Sequence, residues 1–140
     1  MTNDEYQSHF ALWAALKAPL LIGCSLNGIS NVTLGILGNK EVIGVNQDLL
    51  GKQADLLVHD GGSQVWGGAL SENRFVYVCF NRQDKAMSFS LNFNDLLPSQ
   101  KLTRIREIID HQDVEVPANK VFKTKSVRSH AVAMYIVYYE

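Results

Sequence analysis

The hydrophobic pattern at the start of the chain has the spacing of a helix. Thr2 and Glu5 fit a capping box, and the apolar positions that follow repeat every three to four residues. Tyr6, Phe10 and Trp13 fall on one face, and Pro19 lacks the amide hydrogen needed to continue the helix. The sequence therefore predicts a helix over residues 2–17 that packs through its aromatic face.

Residues 20–24 (LLIGC) form a continuous apolar run between helical patterns. Such a run is typical of a parallel strand covered on both faces. Ser30 and Asn39 are placed to cap two short helices that follow it, and Gly51 ends this part of the chain. A single parallel strand leaves its backbone groups without partners. We therefore expect residues 1–52 to be loosely held in isolation.

The pattern changes to a period of two from about residue 53. Residues 64–70 and 74–81 flank a short turn and predict a hairpin, and residues 131–139 are apolar on both faces, as expected for a central strand. Further strands are predicted at residues 86–93, 102–109 and 121–127. The whole pattern predicts an α+β chain, with a helix–strand–helices segment over 1–52 followed by an antiparallel β-sandwich over 53–140.

Composition excludes several classes of function. The 140 residues are 46% hydrophobic and carry a net charge of −1, so no global field would recruit nucleic acid or an anionic membrane. No phosphate loop or metal-binding spacing is present, and we expect no cofactor and no metal. The ligand-rich residues 110–115 are interpreted as a solvated turn.

The two cysteines, Cys24 and Cys79, lie in apolar stretches, and we favour buried free thiols over a bridge between them. Residues 23–27 (GCSLN) resemble a nucleophile elbow but lack its second glycine. Four aromatic side chains of the hairpin could form a platform for a sugar, although core packing is the interpretation we favour; they are Trp66, Phe75, Tyr77 and Phe80. Asn31 begins the only N-glycosylation sequon, residues 31–33.

Several short motifs, in order along the chain, resemble the α-galactosidase (melibiase) family of glycoside hydrolases. The more specific ones lie in the first part and the weaker ones in the second. They are residues 9–14 (HFALWA), 17–24 (KAPLLIGC), 39–43 (NKEVI), 45–48 (VNQD), 65–70 (VWGGAL), 81–82 (NR) and 129–135 (SHAVAMY).

This resemblance implies a (β/α)₈ barrel followed by a β domain, of which the chain would supply only the C-terminal portion. Residues 20–24 would be the eighth strand, and Cys24 and Ser25 would lie at the rim of the substrate pocket. The family often has Asp where Ser25 stands. The implied reaction is retaining hydrolysis of terminal α-galactosides by two aspartates on earlier strands.

Neither catalytic motif occurs in this sequence, so no catalytic residue is assigned, and the chain alone is expected to be inactive. The α-galactoside would be its partner only through the rest of the barrel. The family implies an extracellular, lysosomal or vacuolar location and a glycan on Asn31. The alternative is a stand-alone β-sandwich module that binds carbohydrate or protein through Trp66 and its neighbours.

Overall fold

The computed structural model describes residues 1–140 as three helices and eight strands. The helices are α1 (Asn3–Ala15), α2 (Asn31–Leu37) and α3 (Lys40–Asn46). The strands are β1 (Asp55–Asp60), β2 (Ser63–Leu70), β3 (Arg74–Asn81), β4 (Ser90–Asn92), β5 (Leu102–Glu107), β6 (Gln112–Val114), β7 (Val121–Lys123) and β8 (Val132–Tyr139). A short 3-10 helix, Phe93–Asp95, follows β4. No helix is both long and apolar enough to cross a membrane.

Six strands form one antiparallel sheet in the order β1-β2-β3-β8-β5-β6, and β4 and β7 pair separately. The predicted hairpin is confirmed, with β2 and β3 paired in register from Ser63 and Asn81 to Leu70 and Arg74. The predicted central position of β8 is also confirmed, since it lies between β3 and β5 and six of its eight residues are buried. The α+β class with an antiparallel sandwich is therefore correct.

The two faces of the large sheet bury two separate cores. One face packs against the small sheet and the 3-10 helix, with Tyr77, Phe93 and Tyr135 among the buried rings. The other face packs against α1 and α3, whose Ala11 and Val42 are fully buried there. The helices thus form a layer on the sheet.

This helical layer corrects the expectation that residues 1–52 are loosely held. The sheet supplies the apolar partner that an isolated helix lacks. The helix also differs from its prediction in which face is covered. Ser8, Ala11, Ala14 and Ala15 point to the sheet, because small side chains let the helix approach closely, and the aromatic face points away.

The predicted strand at residues 20–24 is absent. These residues have no ladder partner, and the one backbone bond in this stretch is the short-range contact from Leu21 N to Pro19 O. An apolar run becomes a strand only where a neighbouring strand accepts its hydrogen bonds, and none lies beside it here.

The strand predicted over residues 86–93 is shorter than expected. Only Ser90–Asn92 pairs as β4, and Met87 forms an isolated bridge to Val127. Its alternation is nevertheless correct, because Phe89, Leu91 and Phe93 are all buried. Residues 110–115 also differ from a simple solvated turn, since Gln112–Val114 forms the edge strand β6.

Candidate functional site

The largest concave surface of the molecule lies on the far side of the helical layer from the sheet. It is an open cavity of about 850 Å³ between α1, α2, α3 and residues 20–25. Most of its lining is hydrophobic, and no Asp or Glu contributes to it. This surface contains both rim residues expected from the sequence, Cys24 and Ser25.

The aromatic face of α1 forms one wall of this cavity. Tyr6, His9, Phe10 and Trp13 all line it, and the His9 and Trp13 rings meet edge to face with 4.6 Å between their centroids. Trp13 remains 41% exposed. The helix therefore presents its small residues to the sheet and its large rings to the cavity.

Residues 20–25 form the opposite wall and are the least covered apolar segment of the chain. Leu21 is 83% exposed and Ile22 is 58% exposed. Exposed apolar side chains that are contiguous in this way are typical of a surface that contacts another polypeptide. The cavity therefore has the character of an interface rather than of a closed core.

Each sequence-predicted site residue lies in or beside this region. Cys24 is exposed and unpaired, which corrects the expectation that it is buried, while Cys79 is buried and free as expected. Ser25 is exposed and its Oγ accepts a hydrogen bond from the Asn27 amide. Asn31 is exposed at the first position of α2, directly after its cap, Ser30.

The segment that leaves α1 is fixed at its base by α3. The Asn46 side-chain amide donates to the Ala18 carbonyl at 2.8 Å, and Lys17 Nζ donates to the Val45 carbonyl. Burial lowers the pKa of the Lys17 ammonium group, although the nearby Asp48 opposes this shift. The chain is therefore held up to Ala18 and unsupported beyond it.

Asp48 fixes the same junction to the β2–β3 turn. Its carboxylate accepts hydrogen bonds from the Ser71 amide at 2.8 Å, from Ser71 Oγ at 2.7 Å and from Arg74 at 2.8 Å. Burial opposes its ionisation, but the bonds from Ser71 and Leu50 and the charge of Arg74 outweigh burial and lower the pKa of Asp48. The cavity is thus mounted rigidly on the sheet.

The aromatic side chains of the hairpin do not form one platform. Trp66 lies opposite Val78 in the ladder and packs on the helical side, whereas Tyr77 lies opposite Gly67 and faces the other core. Phe75 shares the face of Tyr77, and their ring centroids are 4.9 Å apart. Core packing is therefore the correct interpretation of these rings.

Two buried polar residues of the β domain were not identified from the sequence. Asn81 is fully buried and its Nδ2 donates to the carbonyls of Lys85, Val127 and Arg128. The carboxylate of Glu107 accepts from the Met134 amide at 3.1 Å, and burial raises its pKa. Both hold loops rather than a ligand, and no sequence spacing signals such a role.

The arrangement offers no complete catalytic site. The cavity lacks the pair of carboxyl groups that glycoside hydrolysis requires. No three His, Cys, Asp or Glu side chains gather closely enough to hold a metal ion. What the site offers is an apolar surface that another polypeptide could cover.

Comparison with known proteins agrees with this division. The family profile "Alpha galactosidase C-terminal beta sandwich domain" matches residues 60–137, and the profile "Alpha galactosidase A" matches residues 1–48. The chain is 38% identical to alpha-galactosidase 2 of Arabidopsis thaliana over 136 residues, 96% of this chain and 34% of that protein. It is also 38% identical to the alpha-galactosidase of Oryza sativa, over 98% of this chain and 32% of that protein.

Solved structures give the same result. The crystal structure of alpha-galactosidase I from Mortierella vinacea superposes with a TM-score of 0.90 at 30% identity, covering 98% of this chain and 36% of that chain. The alpha-galactosidase of Saccharomyces cerevisiae, at 18% identity and a TM-score of 0.85, shares the fold. The chain spans about a third of the length of the curated relatives it matches.

Proposed function

Because the chain belongs to the α-galactosidase (melibiase) family, we propose that it forms the C-terminal portion of an α-galactosidase-like hydrolase. The parent enzyme would release terminal α-galactose from glycosides with retention of configuration. The observation that carries this proposal is the open apolar cavity of about 850 Å³. Its lining comes from residues that match the family profile over 1–48.

In this proposal the cavity is covered by the rest of a (β/α)₈ barrel. Residues 20–24 would become its eighth strand once the first and seventh strands lie on either side, which closes the sheet and removes its edges. Burial of Leu21 and Ile22 would stabilise the closed form at ~25 cal/mol per Å² of apolar surface. Cys24 and Ser25 would then lie at the end of the strand, on the face where barrel enzymes place their substrate.

The domain boundary proposed from the sequence, at residues 52 and 53, fits this assignment. Residues 1–52 would complete the barrel and residues 53–140 would form the sandwich domain. The contacts of Asp48 with Ser71 and Arg74 would then join the barrel to the sandwich.

The chain by itself is predicted to be inactive. A retaining hydrolase needs a nucleophile and an acid/base carboxyl group about 5 Å apart, and the cavity contains no carboxylate. An aryl α-galactoside assay of the purified 140-residue chain should give the rate of buffer. Turnover that disappears when an acid of this chain is replaced would contradict the prediction.

Restoration of activity by the missing partner tests the proposal itself. The chain should be co-expressed with the N-terminal part of the Mortierella vinacea enzyme, and α-galactosidase activity should appear. Leu21→Asp should abolish this activity because it places a charge in the closing strand. Leu96→Asp, at a leucine that is 43% exposed in the β domain, is the matched control and should preserve it.

Two soluble, folded pieces that do not associate would argue against the proposal. The same result would favour the alternative of an independent binding module. Association that both aspartate variants weaken equally would show that the contact does not use residues 20–24.

We also propose that the parent protein enters a secretory pathway, with an extracellular, lysosomal or vacuolar destination, and that Asn31 carries a glycan. Asn31 is exposed at the start of α2, where a bulky sugar meets no neighbouring element. Peptide mass analysis of secreted material should show a shift on residues 31–33 that glycosidase treatment removes. Fully unmodified Asn31 would refute this.

A further inference from the structure

A second, smaller cleft lies between the start of α1 and the loops that precede β6 and β8. Its volume is about 180 Å³, enough for several water molecules and for one small ring-shaped molecule. Its polar lining consists of Asp4, Gln7, Asp110, Lys125, Ser126 and Arg128. The cavity that contains Cys24 and Ser25 shares none of these residues.

The charges that line this cleft cancel in pairs. Arg128 donates to the Asp4 carboxylate through two nitrogens, at 2.9 and 2.6 Å, and Lys125 Nζ donates to Asp110. A charged ligand would have to compete with one of these pairs. A neutral ligand can instead use the lone pairs and N–H groups that remain.

Gln7 supplies a polar group without a partner in this cleft. Its Nε2 atom is buried and makes no hydrogen bond. A buried N–H group without an acceptor is unfavourable by about 1–3 kcal/mol. The atom is therefore a donor available to an acceptor that enters the cleft.

The remainder of the lining is apolar. Ile109, Val127, Ala131 and Val132 contribute aliphatic surface beside the polar groups. A pyranose or cyclic polyol combines an apolar C–H face with a rim of hydroxyl groups that both donate and accept. Its two chemical faces match the two kinds of lining.

We propose that this cleft binds one neutral polyhydroxylated ring, either a monosaccharide unit or a cyclic polyol. The Gln7 amide donates to a ligand hydroxyl, and the paired charges at the rim accept and donate around it. The site does not depend on the proposed function, because Gln7 and the β-domain loops are in place within this chain alone.

Binding is tested by titration calorimetry of the full 140-residue chain with methyl α-glucoside and with myo-inositol. A ligand of about 12 non-hydrogen atoms should bind with a Kd on the order of 1–10 mM. Glucuronate, which has the same ring with a negative charge, should bind about tenfold more weakly because it competes with the ion pairs.

Gln7→Met is the decisive variant, since it keeps the length of the side chain and removes the amide. It should weaken binding of both neutral probes about fivefold to tenfold, the equivalent of one hydrogen bond. Its thermal midpoint should equal or exceed that of the original chain, because the unpartnered N–H is gone. Gln53→Met, at an exposed glutamine outside the cleft, is the matched control and should bind as before.

The absence of saturable binding of either neutral probe up to about 50 mM, well above the range expected from ligand size, would overturn the proposal. Equal affinity of the Gln7→Met and Gln53→Met variants would also overturn it, since the cleft would then contain water only. Tighter binding of glucuronate than of the neutral probes would show that the charges do not cancel.

Discussion

At the scale of single residues, the buried polar groups of the β domain differ in how well they are satisfied. The Asn81 amide makes three donated bonds and accepts one from the Gln83 amide, so all of its capacity is used. The Tyr77 hydroxyl is buried and has no partner. Burial raises the pKa of Tyr77, so the ring stays neutral at ordinary pH.

Tyr77→Phe should leave the free energy of unfolding unchanged or raise it by about 1 kcal/mol, because the substitution removes an unpartnered polar atom and preserves the ring. Tyr135→Phe is the matched control. That ring is equally buried, but its hydroxyl interacts with the Lys125 backbone, and its loss should be destabilising. Urea unfolding of both variants measures the difference. A clear loss of stability in Tyr77→Phe would reveal a partner for its hydroxyl.

At the scale of elements, the junction after α3 connects three parts of the molecule. Asn46 holds the end of α1 and Asp48 holds the β2–β3 turn. The Asp48 side chain is only 2% exposed, so its bonds are formed away from solvent. Hydrogen bonds to a charged group are worth about 1.5–3 kcal/mol each way of breaking them.

This junction should make stability depend on pH. The pKa of Asp48 is lower in the folded chain than its ordinary value, so its stabilisation is present above the unfolded pKa and is lost as pH falls through the folded pKa. Asp48→Asn should therefore cost about 2 kcal/mol at pH 7 and reduce the loss of stability below about pH 4.

Denaturant midpoints between pH 7 and pH 2.5 measure both effects. Asp84→Asn is the control, because the Asp84 side chain is fully exposed, and its midpoints should follow those of the original chain. Parallel pH curves for Asp48→Asn and the original chain would mean that Asp48 does not contribute through its charge.

How much of this could be predicted from the sequence depends on where each element finds its partners. The β2–β3 hairpin was predicted because its residues alternate and pair with near neighbours. The sheet-facing side of α1 was missed because aromatic residues dominate hydrophobic patterns, whereas Ala11 and Ala14 make the closest contacts. The strand at residues 20–24 was wrong because its partners are not in the chain's own fold.

The candidate site was predictable in part for the same reason. Cys24 and Ser25 were identified through family motifs, and the structure places both in the largest cavity. The anchors of that cavity were not identified, because Asn46 and Asp48 act on Ala18 and Ser71, far away in sequence. Periodicity reports the face of an element, and it does not report which distant backbone group a polar side chain reaches.

At the scale of the whole molecule, the packing of the helical layer predicts a sharply localised region of weak protection. Amides of α1 and α3 should exchange as slowly as those of β2 and β3, because Ala11, Val42 and Val45 are buried against the sheet. Residues 20–29 should exchange rapidly. Hydrogen exchange followed by mass spectrometry measures this, and rapid exchange throughout residues 1–52 would restore the original expectation.

The order of strands in the large sheet has a consequence for synthesis on the ribosome. The strand β8 comes last along the chain yet lies between β3 and β5, so neither has its central neighbour until β8 has been translated. The hairpin of β2 and β3 therefore waits with an open apolar edge, which is the condition under which nascent chains recruit chaperones or aggregate. A stop codon just before β8 would remove few residues but divide the sheet in two.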